Sequence, residues 1–140
     1  MKKFLSIITA LILIFSLSSC QGTYVGFSSG VYVINGVTYK YKATSLYTKR
    51  IGNEISIGWN HLEGDYVTES FRTKGADSIE YTVLGDAENL SVRIISSGEI
   101  YPLTTTGNSF DLTKINSDSI QFIFSSQNCN ETEITINLVK

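Results

Sequence analysis

The chain has one histidine, two cysteines and one tryptophan, and the setting of each limits what chemistry it could do. A catalytic base at His61 would need a nucleophile and an orienting acid converging on the imidazole. His61 instead falls in strand phase with Ile55, Ile57 and Trp59, which reads as a histidine at the end of a strand, on the rim of the core. Zinc sites want several His or Cys ligands at set spacings, and no paired-cysteine motif is present. Calcium wants several converging oxygens. "GDAEN" (85–89) and "NSDS" (116–119) carry some, but Asp and Asn in such clusters ordinarily form turns. The serine of "GADSIE" lacks the flanking glycines of a nucleophile elbow. The sequence therefore predicts no catalytic residue, no metal and no cofactor.

The stretch richest in recognition chemistry is "GWNHLEGDYVTESF" (58–71). Trp59, His61, Glu63, Asp65 and Tyr66 crowd what reads as one turn, and aromatic rings beside planar polar groups suit a sugar or peptide ligand. The competing reading makes Trp59 a core aromatic in phase with two isoleucines and Glu63-Gly64-Asp65 an ordinary turn. Tyr47, Tyr66 and Tyr101 are the other aromatics whose strand phase points outward. Cys129, in "SSQNCNET", is expected in a polar loop as a half-shielded thiol or one that pairs with another chain.

Cys20 has a different setting. Met1-Lys2-Lys3 precedes an uncharged run over residues 4–17, mostly Leu, Ile and Phe, the pattern of an export signal. The run falls short of the roughly 20 apolar residues a membrane-spanning helix needs. Leu17-Ser18-Ser19-Cys20 resembles the lipobox of bacterial lipoproteins. The resemblance covers residues 1–20 and implies cleavage before Cys20, a diacylglycerol thioether on its sulfur, and a mature chain held to a membrane by that lipid. Each buried methylene of an acyl chain contributes about 0.8 kcal/mol, so two or three chains hold stably where one binds reversibly. Gln21, rather than Asp, follows the cysteine. By the same resemblance this favours the outer membrane where the cell has one, and otherwise the outer face of the plasma membrane.

Loss of Lys2 and Lys3 with the signal lowers the Lys and Arg count from 11 to 9 against 13 Asp and Glu, a mature net charge of −4. That argues against nucleic acid and against anionic lipid surfaces, both of which select for clustered Lys and Arg. The Lys40, Lys42, Lys49 and Arg50 group reads as a solvated face. Residues 1–19 are thus expected as a cleaved signal, 20–30 as the lipidated cysteine and a flexible tether rich in Gly and Ser, and 31–140 as one folded domain.

That domain reads as strand after strand. In "VYVINGVTYKYKA" the Asn35-Gly36 pair predicts a type I′ hairpin, because both turn positions need positive φ. A two-residue loop would pair Ile34 with Val37 and Tyr32 with Tyr39. Period-two alternation recurs at Ile55/Ile57/Trp59, Val67/Glu69/Phe71, Ile79/Tyr81/Val83, Leu90/Val92/Ile94, Ile120/Phe122/Phe124 and Ile134/Ile136/Leu138. The turn clusters between them include "LEGD", "TKGAD", "SSGE" and "TTGNS". The expected fold is all-β: a single antiparallel β-sandwich, immunoglobulin-like or jelly-roll-like, of about nine or ten strands. It loosely resembles the carbohydrate-binding and immunoglobulin-like modules of exported bacterial proteins. The functional expectation is a monomeric binding or interaction module whose partner is a glycan or an envelope protein, the alternative being a small envelope hydrolase or hydrolase inhibitor.

Overall fold

A computed structural model describes residues 26–115 and 117–140; the signal, Cys20 and most of the segment read as tether lie outside them. The described chain is all-β, as expected: ten antiparallel strands join into one continuous sheet. The strands are β1 (Phe27–Ile34), β2 (Val37–Thr44), β3 (Tyr47–Ile51), β4 (Glu54–Val67), β5 (Phe71–Arg72), β6 (Ser78–Gly85), β7 (Ser91–Ser96), β8 (Glu99–Leu103), β9 (Ser109–Asp111) and β10 (Ser119–Val139). The first strand begins at Phe27, inside the segment read as tether, with Phe27 paired to Thr44.

The Asn35-Gly36 hairpin forms in the expected register, Ile34 opposite Val37 and Tyr32 opposite Tyr39. Both turn residues have positive φ, 51° and 78°. One expected turn and one expected loop do not form. "LEGD" and "SSQNCNET" lie inside the two longest strands, β4 with 14 residues and β10 with 21. These two strands pair along most of their length and form the spine of the sheet. At one end β3 flanks β4 and β6 flanks β10; at the other β2 flanks β4 and β7 flanks β10.

The spine bends, and the bend makes the sandwich. Along β4 the core-facing residues are Ile55, Ile57 and Trp59, then Leu62 and Tyr66. The step of three between Trp59 and Leu62 marks a corner at Asn60 and His61, where the inward face changes parity. On β10 the same corner takes the core-facing set from Cys129 to Thr132, opposite Leu62 and Trp59. A bulge between Ser126 and Cys129 adds a second phase shift on β10. Two shifts restore parity, so Phe122 and Phe124 face the same core as Ile134 and Ile136; β4 has the corner alone, so Tyr66 turns inward.

Aromatic rings line that core. Phe124 lies 5.5 Å from Trp59, 6.3 Å from Tyr66 and 6.1 Å from Phe122 between ring centroids. The row continues through Tyr41 on one side and Phe71 on the other. A smaller cluster, Tyr39, Val67, Ile95 and Ile123, covers the opposite face of the β4–β10–β7 layer. Tyr32 and Ile34 of the hairpin pack on it, and the Asn35 side chain donates to the Gly98 carbonyl at 2.7 Å. The hairpin thus folds across the back of the sheet, which buries residues of both parities in the central strands.

Candidate functional site

The structure disperses the five residues expected to form one recognition turn. Trp59 is 2% exposed and packs on Phe124, so it offers no stacking platform. Tyr66 is also a core residue, with its hydroxyl 3.4 Å from Thr48 Oγ1. Burial first of all raises the Tyr66 phenol pKa above its usual value. The outward phase read for Tyr66 assumed unbroken alternation, and the corner at Asn60 and His61 inverts it.

His61, Glu63 and Asp65 remain at the surface but do not converge. His61 is half-buried between Thr44 and Asn130, and among the described residues no hydrogen bond joins it to a carboxylate or a hydroxyl. Its expected alignment with Ile55, Ile57 and Trp59 fails at the same corner. Glu63 is exposed opposite Lys42 and lines a cleft of about 460 Å³ beside β1 and β2. Asp65 lines a different one, of about 540 Å³, with Glu88, Ser91, Ser125 and Gln127. It pairs with Arg93 at 3.5 Å, and Arg93 also donates to Ser125 Oγ and lies 6.0 Å from the Tyr39 ring centroid. Half-exposed ion pairs of this kind contribute little stability.

A third cleft, of about 370 Å³, retains Trp59 among its lining but is built on other residues: Tyr47, Asn60, Leu84, Glu131 and Glu133. Tyr47, Gly58, Glu133 and Leu84 are successive cross-strand neighbours on β3, β4, β10 and β6. The Tyr47 ring lies over Gly58, where a Cβ would come within 2.5 Å of the ring. Tyr47 keeps 39% of its surface exposed. Burial, then the charge and hydrogen bonding of Glu133, raise its phenol pKa. An open aromatic ring beside two carboxylates and an amide, with no basic side chain in the lining, suits a neutral or cationic ligand bearing hydroxyls or amides. Tyr47 was legible as an outward aromatic; Glu131 and Glu133 carried no signal, because the pairing of β10 with β4 is not local in sequence.

Cys129 departs from its expected loop position and is fully buried. Its Sγ lies 3.3 Å from the Asp86 carbonyl and 3.2 Å from Thr132 Oγ1. Asp86 accepts from Asn130 N at 3.1 Å and from Asn89 Nδ2 at 2.8 Å. The carboxylate of "GDAEN" is therefore used to fasten the β6–β7 connection to the β10 corner. Among the described residues no group of three His, Cys, Asp or Glu side chains is placed to hold a metal. A buried thiol is inert, so Cys129 should resist Ellman's reagent in the folded protein and react fully once denatured. Stoichiometric reaction under native conditions would contradict its placement.

No protein-family model matches the chain, and no curated protein does. Among solved structures, a chain in the crystal structure of Drosophila melanogaster CENP-C bound to CAL1 is similar over 94% of this chain and 95% of its own length, at 12% identity and a TM-score of 0.33.

Proposed function

We propose that this protein is a lipid-anchored component of a bacterial cell envelope that binds a ligand without transforming it. It sits in the outer membrane where the cell has one, or otherwise on the outer face of the plasma membrane. The observation that carries the reading is Leu17-Ser18-Ser19-Cys20 at the end of a charged-then-apolar leader. The β-domain then acts outside the cytoplasm, held by acyl chains on Cys20. What supports binding is the cleft under Tyr47, whose ring, with Glu131, Glu133 and Asn60 beside it, fits a neutral or cationic glycan or peptide. The hydrolase alternative would be favoured by a carboxylate and a hydroxyl at His61; the described residues supply no such contact.

One experiment tests both halves. Wild-type protein is labelled with a fatty-acid analogue beside Cys20→Ala, and label should appear on the wild type alone. The wild type, Tyr47→Ala and Glu133→Gln are then screened against glycans and envelope extract. Both cleft variants should weaken capture on the order of tenfold, or about 1.4 kcal/mol, while retaining a cooperative melt. Unlabelled wild type would sink the anchor, and undiminished capture by both folded variants would sink the cleft.

A further inference from the structure

We propose that the outward face of the β1–β2 hairpin lies against the membrane, so that the domain rests on the lipid surface rather than standing off it. The proposal rests on the lipid anchor at Cys20. β1 is an edge strand, the first in the sheet order. Its odd-numbered residues face away from the core, with Phe27 72%, Val31 62% and Val33 68% exposed. Large apolar side chains aligned on an unpaired edge are a liability in water unless something covers them.

Three observations select lipid as the cover. The first is reach: Cys20 is seven residues from Phe27, and seven residues extend at most about 25 Å. The anchor therefore holds this end of the sheet close to the bilayer, where contact becomes an intramolecular event at high effective concentration. The second is composition. From Cys20 to Tyr39 no residue is charged, so this length of chain meets no electrostatic cost at an apolar boundary. The third is charge placement. The first charges after the anchor are Lys40 and Lys42, paired across the hairpin with Val31 and Ser29 and therefore on the same face. An apolar stripe with lysines at its margin suits an interface with anionic headgroups. A second copy docked on this face would bring the same lysines and no compensating stripe of acid. The mature net charge of −4 is thus unevenly spread: β1 and β2 carry no carboxylate, and Glu63 faces Lys42 from the neighbouring strand β4.

The test uses full-length lipidated protein in vesicles of phosphatidylethanolamine and phosphatidylglycerol. An environment-sensitive nitrobenzoxadiazole label is placed on Val31→Cys in one sample. In another it is placed on Ser109→Cys, exposed on β9 at the far end of the sheet order. Lipid occupies the Cys20 thiol and burial protects Cys129, so each protein offers one reactive cysteine. The label at 31 should emit to the blue of the label at 109 and be reduced by dithionite several-fold more slowly. Adding Val33→Asp to the position-31 protein should abolish the difference. Mass spectrometry of the N-terminal peptide separates the two ideas: lipid on Cys20 with a water-like label at 31 overturns this proposal alone, whereas no lipid overturns the anchor and this proposal with it. Protection at 31 that persists in detergent-free solution without vesicles and grows with protein concentration would assign the face to a second copy and overturn the membrane reading.

Discussion

Trp59→Ala is expected to cost about 3 to 5 kcal/mol, the range for deleting a large buried aromatic. The ring is the largest fully buried side chain in the protein and packs on Phe124, itself in contact with Tyr66 and Phe122. Its removal would leave a cavity that a sheet pinned on both sides by β3 and β10 cannot collapse to fill. Against a typical domain stability of about 5 to 15 kcal/mol, that loss is a third or more of what many domains possess. Trp59→Phe provides the internal comparison. The indole Nε1 is buried with no hydrogen-bond partner, and an unmade hydrogen bond of this kind costs about 1 to 3 kcal/mol. Phenylalanine keeps most of the ring contacts and removes that cost, so its penalty should be less than half that of alanine. Urea unfolding followed by circular dichroism measures both. In the wild type, fluorescence from this sole tryptophan should be blue-shifted and resistant to iodide. A red-shifted, quenchable Trp59 with a small alanine penalty would return the residue to the surface.

Gly64→Ala is expected to destabilise by about 3 kcal/mol or more through the backbone alone. Gly64 has φ of +91° and lies between Tyr41 of β2 and Ser126 of β10. A Cβ there would collide with the Lys40 carbonyl oxygen and come within 3.2 Å of Tyr41 Cα. These are main-chain atoms in a paired strand, so no rotamer change relieves the contact. Gly36→Ala is the matched control: its φ is +78° and nothing lies within 4 Å of the added carbon. It should cost only the left-handed conformational penalty, about 1 to 2 kcal/mol. Equal losses for the two variants would mean that β2 moves aside at Gly64 without cost, and the close approach would not be a constraint on the bend.

The local part of the fold was written in the residues. Period-two alternation with β-branched and aromatic residues sets strand structure over short distances, and the Asn35-Gly36 turn fixes its own register because few other pairs accept positive φ twice. The all-β class, the hairpin pairing and the core-facing isoleucines of residues 55–57 and 134–136 follow from such near-neighbour rules. Likewise, the anchor reading at Cys20 needs only a contiguous motif.

Tertiary structure decided what lies beyond that range. "LEGD" and "SSQNCNET" are rich in turn-forming residues, yet each is carried through as strand because β4 and β10 lie beside one another and satisfy each other's backbone groups. The pairing of residues near 60 with residues near 130 has no local signature. From it follow the corner that turns His61 outward and Tyr66 inward, the burial of Cys129 against Asp86, and the meeting of Tyr47 with Glu133. A strand's sequence period specifies two faces, but which face is inside changes wherever the sheet bends, and only the packing of the two long strands against the rest of the sheet locates that bend.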